Sequence, residues 1–322
     1  MTVTDKLVQM FIALAVFAAV VAVILFVASR IKGTGRDRNV SLLFLAPTAV
    51  FVLVGLVFPA LQTIYFSFLG RVGEDFVGLG NYQEIFTNAD QIVILRNTFL
   101  WVTVTPFVAT AIGLLYAILV DKARFEKIAK TLIFLPMAIS FVGASIIWKL
   151  IYDFKPDQGD IQQIGLLNQL WVLVGGSPQQ WLLNEPWNTF FLIAILIWIQ
   201  AGFAMTILSA AIKAIPEDII EAARLDGVGP IGMFRFITVP SIRPALVVVL
   251  TTIAIATLKV FDIVRTLTGG QFGTGVIANE FYSQTFRAQN QGLGTALAVL
   301  LFALVVPIVA YNIRQLNASE AR

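Results

Sequence analysis

The chain contains no cysteine and no histidine. Without cysteine there is no disulfide framework, no thiolate metal site and no cysteine nucleophile. Without histidine, the commonest metal ligand and the usual general base are both missing. Histidine-held haem and HExxH protease chemistry are excluded outright. Charge is scarce as well: only 13% of the 322 residues are Asp, Glu, Lys or Arg. No GxxxxGK[ST] phosphate loop occurs. Residues 33–36 and 269–275 are glycine-rich, but neither ends in the Lys-Ser/Thr pair of a phosphate cradle. If ATP drives this protein, another subunit hydrolyses it. What the chain does have is apolar surface. Hydrophobic residues make up 58% of it, and its mean hydropathy is +0.86. A soluble domain needs far more polar residues, so the class is all-α integral membrane protein.

A helix needs roughly 20 apolar residues to cross about 30 Å of hydrocarbon. Mostly apolar runs extend over 7–29, 40–70, 97–120, 131–148, 186–212 and 288–313. Another covers 244–264, interrupted by Lys259 and Asp262. Seven transmembrane helices are therefore predicted. The first run is long, lacks a small-x-small cleavage site and precedes a basic stretch, so it reads as a retained anchor rather than a signal peptide.

Basic residues set the orientation. Arg30, Lys32, Arg36 and Arg38 follow the first run, and Lys122, Arg124, Lys127 and Lys130 follow the third. Lys213, Arg224, Arg235 and Arg243 follow the fifth; Arg314 and Arg322 follow the seventh. Alternating spans put all of these on one side. The expectation is a multi-pass membrane protein, N-terminus outside and C-terminus cytoplasmic. Two longer outer loops result, 71–96 and 153–185. The second begins with Asp153, Asp157 and Asp160 and carries an apolar piece over 166–174, too short to span. No internal repeat is visible.

The stretch "EAARLDGVGPIGMFRFITVP" at 221–240 lies between the fifth and sixth runs. Pro216 suits a helix start, and Glu217 and Asp218 suit its positive dipole end. Gly227 fits a left-handed C-cap, Pro230 opens a second helix and Pro240 closes it. The result is a compact cytoplasmic knob. Small Ala222 and Ala223 admit a close partner, and Glu221 and Arg224 offer it oriented charge. A solvated loop with a frayed amphipathic turn is the competing reading, and the residues alone leave both open.

The spacing of Glu221-Ala222-Ala223, Gly227, Ile237 and Val239-Pro240 resembles the EAA signature of ABC-importer permeases. Asp226 before the glycine matches the sugar-importer branch; Val239 stands where leucine is usual. "GLGNY" at 78–82, "FLP" at 134–136 and "FDIVRTLTGG" at 261–270 resemble further stretches of sugar permeases. "IANEF" at 277–281 and "YNIRQ" at 311–315 resemble the α-glucoside branch. The large outer domain of the maltose permease is missing. The resemblance implies a six-helix permease core plus one N-terminal helix. It divides the chain into 1–38, a helix with a basic loop, and 39–322, the permease domain with a coupling segment at 213–240. It implies that Glu221, Ala222, Ala223, Arg224, Asp226, Gly227, Ile237 and Pro240 engage an ABC ATPase dimer, which binds ATP and Mg while this chain binds no cofactor. It also implies a second homologous permease, an extracellular sugar-binding protein and a sugar substrate, and no nucleic acid.

Neutral sugars are held by hydrogen bonds and by aromatic faces, and polar groups inside spans are costly enough to be functional candidates. The fifth run offers Trp198, Gln200 and Phe203; the sixth offers Thr252 and Thr257. Counted forward to Glu221, Phe203 resembles a sugar-stacking position of the maltose permease. Packing is the plainer alternative for Trp198 and Phe203, and backbone bonding for the threonines. Lys259 and Asp262 read as an internal salt bridge at i, i+3. A stand-alone carrier or channel, or a non-transporting membrane subunit of an enzyme complex, would leave 221–240 without a role.

Overall fold

The computed structural model describes residues 3–31, 35–121, 124–156 and 165–320. Of the loop charges named above, Lys32, Lys122, Asp157, Asp160 and Arg322 lie outside the described residues. Apart from an isolated bridge between Leu69 and Phe76, the described residues form helices and their connections. The chain divides into two compact units, Met1–Tyr65 and Phe66–Arg322. That division falls later than the 38/39 boundary read from the sequence. The first unit consists of α1 (Val3–Arg30) and most of α2 (Arg36–Phe66). No residue in the most apolar stretch of either helix is buried within the chain. Helices apolar all round are covered by lipid or by another protein.

The second unit holds the core. Its helices are α3 (Gly80–Thr87), α4 (Ala89–Val120), α5 (Glu126–Phe134), α6 (Phe141–Ile151), α7 (Leu166–Leu173) and α8 (Asn188–Lys213). Then come α9 (Glu217–Leu225), α10 (Pro230–Ser241), α11 (Arg243–Leu258), α12 (Asp262–Leu267), α13 (Ile277–Tyr282) and α14 (Gln291–Glu320). Among the described residues of both units, five helices are long and apolar enough to span, and counting each of two bent pairs as one span brings the number to seven.

The bends depart from the straight spans read off the sequence. The fourth run breaks at Ile139–Ser140, where α5 and α6 meet at 103°. Pro136 sits in a 3₁₀ turn at Leu135–Ala138, and Ser140 then restarts the helix by accepting the Gly143 N–H at 3.0 Å. The sixth run ends at Leu258; Lys259 caps α11, and Asp262 begins α12. The helix restart between them explains why the expected Lys259–Asp262 pair is not made, the ion pairs among the described residues lying elsewhere.

The central element is α8. Trp101 of α4 packs in one cluster with Leu192, Ile195 and Ile199 of α8. Further along, Ala109 and Ala117 of α4 join Met205 and Leu208 of α8 in a second cluster. Residue numbers therefore rise together, and α4 and α8 run parallel. That is what alternating spans three and five require. A third cluster joins Ile85, Ile277, Leu293 and Leu297.

Two glycines set the spacing around α8. A Cβ at Gly113 of α4 would stand 2.4 Å from the Ala204 Cβ and 2.7 Å from the Met205 N. A Cβ at Gly202 of α8 would stand 2.4 Å from the Ile133 carbonyl oxygen of α5. Backbone, not flexible side chain, occupies the space on both sides. Gly113→Val should therefore lower thermal stability in detergent, by the roughly 1–3 kcal/mol typical of overpacking. Gly55→Val, at a helical glycine with nothing within 4 Å, serves as the neutral control. Equal melting temperatures for the two variants would refute this account of the α4–α8 contact.

Candidate coupling and substrate sites

Three residues separate the end of α8 from α9. Pro216 takes an extended ψ of 135° and caps α9 from outside, one position earlier than a first-turn proline. Glu217 and Asp218 fill the first turn. At the other end Gly227 has φ +76°, and its N–H donates to the Arg224 carbonyl at 3.0 Å. The Val228 N–H donates to the Ala223 carbonyl, also at 3.0 Å. These two bonds form a Schellman closure, which satisfies carbonyls that a frayed turn would leave open. Pro230 then opens α10, and the chain turns 69° at Ile242 into α11. The knob is thus two capped helices.

Ala223 is buried against the knob, while Glu221, Ala222, Arg224, Asp226 and Pro240 are exposed and Ile237 is half-buried. The structure adds residues that sequence reasoning missed. Leu225 is 89% and Ile231 83% exposed, side by side in sequence with the Gly227 corner. Two large apolar side chains at the tip of a charged knob mark a surface meant to be covered. Their signal in the sequence was an apolar residue on either side of a glycine turn. Behind the knob lies a cavity of about 790 Å³, lined by Asp121, Lys213, Glu217, Arg224, Met233 and Phe234 among others.

At the same end, the tips of α4, α5 and α8 are joined by ions. Lys130 Nζ lies 2.6 Å from Asp121 Oδ1 and 2.8 Å from Glu126 Oε1. Lys213 Nζ lies 2.5 Å from Glu126 Oε1 and 3.5 Å from Asp121 Oδ1. The Ser209 hydroxyl donates to Asp121 at 2.8 Å and accepts from Lys130. Burial pushes the Asp121 carboxyl up; the bonds from Lys130 and Ser209 and the nearby lysine charges outweigh it, holding the group below the usual carboxylate range.

The opposite end of the bundle is held by amides. Asn97, near the start of α4, donates to the carbonyls of Gly273 and Gly275 at 2.6 and 3.0 Å. Asn188, first residue of α8, donates to the Phe272 carbonyl at 2.6 Å. Both fasten the loop that follows α12.

The candidate sugar residues separate. Gln200 and Phe203 lie half-buried on one face of α8, and Phe203 packs on the edge of the second cluster. Among the described residues the Gln200 amide has no hydrogen-bond partner. Trp198 packs edge-on to Trp148, with ring centroids 5.7 Å apart. Thr252 is exposed on α11. Thr257 is fully buried and donates to the Ile253 carbonyl of its own helix at 2.7 Å. The structure therefore leaves Thr257's hydroxyl occupied and Thr252's outward. Neighbouring Thr251, passed over in the sequence, accepts from Asn312 of α14.

Comparison with known proteins fits this geometry. The chain is 47% identical over 278 residues to the osmoprotective compounds uptake permease protein GgtC of Synechocystis sp., covering 86% of this chain and 99% of that one. It is 49% identical over 273 residues to the alpha-glucoside transport system permease protein AglF of Rhizobium meliloti, covering 84% and 81%. Its fold matches a chain of a bacterial ABC transporter involved in the import of the acidic polysaccharide alginate, with a TM-score of 0.74 at 21% identity over 87% of this chain and 96% of that one. The model for the binding-protein-dependent transport system inner membrane component matches residues 109–317, a stretch that contains the Gly113 contact between α4 and α8 and the whole knob. The chain belongs to that family of membrane permeases.

Proposed function

We propose that this permease of an ABC sugar importer carries an α-glucoside or a related oligosaccharide, and that α9 is the lever through which a partner ATPase drives it. The observation that carries the lever is the knob itself. It is closed by the Schellman turn at Gly227, stands between two spans, and presents Leu225 and Ile231 largely uncovered by the described residues. The ATPase dimer binds ATP and Mg. Its closure moves α9, and the spans change which side of the membrane they open to. A second permease subunit completes the pathway, and an extracellular binding protein delivers the sugar.

A second substrate reading has comparable support, because a relative named for osmoprotective compounds is 47% identical against 49% for the alpha-glucoside one. Uptake by the reconstituted complex, measured with a panel of glucosides beside small osmoprotectants, separates the two.

Three results are expected. Glu221→Lys or Gly227→Pro uncouples ATP hydrolysis from uptake or releases the ATPase from the complex. Gly227→Pro loses both the left-handed φ and the N–H of the closure. Normal uptake by either variant would end the lever reading.

For the substrate, the Gln200 amide without a partner and the adjoining Phe203 ring supply a hydrogen-bonding group and a stacking face. Gln200 is half-buried, so its amide is accessible to a ligand and free to hydrogen-bond a sugar hydroxyl. Phe203→Ala should cut uptake while expression and ATPase assembly stay near normal. Gln200→Leu should change sugar preference more than stability. Unchanged uptake in both would return the pair to helix packing.

For orientation, the basic ends of α4 and α8 face the cytoplasm. Cysteines placed at Arg36 and Gly229 should react with an impermeant maleimide only from that side. One at Gly80 should react from outside. The chain has no cysteine of its own to obscure the result.

A further inference from the structure

The 790 Å³ cavity beneath the knob means that α9 does not rest solidly on the ends of the spans. α9 touches the bundle where its Ile220 packs against the second cluster beside Ile215 of the link, and its motion enters there and at two edges. One edge is Ile242, buried in the second cluster at the 69° turn into α11. The other is Lys213, the last residue of α8, three residues before α9 begins.

The Lys213 side chain is 51% exposed, but its ammonium group is paired. It is held by Glu126 at the start of α5 and by Asp121 at the end of α4. Lys130, one turn into α5, reaches back to both carboxylates and to Ser209, one turn before Lys213 on α8. Two ammonium groups, two carboxylates and one hydroxyl therefore tie three helices at a single point. The charges within it sum to zero, and each ion has a counter-ion within 2.8 Å. The carboxylate side chains are 14% and 28% exposed, so the bonds are partly shielded from water and salt.

We infer that this cluster is the joint through which displacement of α9 is passed to α4, α5 and α8 together, with Lys213, Glu126, Asp121, Lys130 and Ser209 as positioning residues for coupling. The inference rests on reading α9 as the ATPase contact. Without the joint, α9 would still press on the second cluster through Ile215 and Ile220, but the ends of α4 and α5 would not be bound to follow α8. With it, α8 cannot move at this end unless α4 and α5 follow. The span that carries Gln200 and Phe203 then answers to the knob as one body with α4 and α5. A plain staple would stabilise the fold and leave the ratio of transport to hydrolysis alone.

That ratio is the measurement. In the complete complex in proteoliposomes, Lys213→Met should lower the sugar moved per ATP hydrolysed on the order of fivefold, with KM for sugar unchanged. Lys213→Arg, which restores the charge and the donors, should recover it. Glu126→Gln with Lys213→Met should be little worse than Lys213→Met alone, because members of one joint fail together. An unchanged ratio in Lys213→Met, or fully additive losses in the double variant, would overturn the joint. If Lys213→Met assembles poorly, Ser209→Ala and Lys213→Arg carry the test in assembled complex, and Ser209→Ala should lower the ratio while Lys213→Arg keeps it. Glu221→Lys is measured alongside. If it leaves coupling intact, the lever reading fails; if it uncouples while Lys213→Met does not, the joint alone fails.

Discussion

The structure depends on how closely α8 is gripped. In a bilayer the lipid tails are as apolar as the side chains, so helices do not associate to escape water. They associate where small residues let backbones meet. Gly113 brings α4 onto α8, and Gly202 brings α5 onto the other flank. From these contacts follow the parallel course of α4 and α8 and the level at which their ends arrive. Only because the ends arrive level does Lys213 find Asp121 and Glu126. The break at Ile139–Ser140 belongs to the same arrangement. It ends α5 in the neighbourhood of Gly202, so the run crosses α8 there instead of continuing straight.

The knob and the bundle are built on different physics. The knob has little core and is held by local backbone rules: a proline before α9, acids in its first turn, a left-handed glycine after it, a proline opening α10. Such an element keeps its shape while exposing Leu225 and Ile231. The bundle is held by side-chain contacts between distant segments. The two meet at Ile242, at Lys213 and where Ile215 and Ile220 pack on the second cluster. A small, locally determined part joined to a large, globally packed one at a few points suits a device that passes on displacement without deforming.

The local part was legible in the sequence. Glycine and proline at 216, 227 and 230 specify caps whose geometry does not depend on the rest of the chain. The spans were legible because the hydrocarbon thickness sets their length. Their breaks were less so: Pro136 and Ser140 lie in an apolar run, and only tertiary contact decides whether such a run bends or continues. The Lys259–Asp262 pair failed because spacing along an assumed helix says nothing once the helix restarts. The ion cluster was invisible for a plainer reason. Its Glu126–Lys130 pair is an i, i+4 neighbour and readable, but Asp121 and Ser209 are 88 positions apart, and Glu126 and Lys213 are 87. In the sequence Lys130 and Lys213 counted only as charges that orient the protein. Thr257 shows the limit for the substrate site, since its residue type fitted and its hydroxyl is spent on its own helix.

The two ends of the bundle are fastened by groups that respond differently to the solution. Asn97 and Asn188 hold their loop through neutral amides, which carry no charge at any ordinary pH and draw little strength from ionic attraction. The other end relies on ions. In the orientation proposed for the chain, the amides face the outer side of the membrane, where the cell controls ionic conditions less closely. The ions face the cytoplasm, whose composition the cell regulates. The loop after α12 is thereby tied by fastenings indifferent to ionic conditions, and the joint tied electrostatically lies on the side whose electrolyte is kept constant.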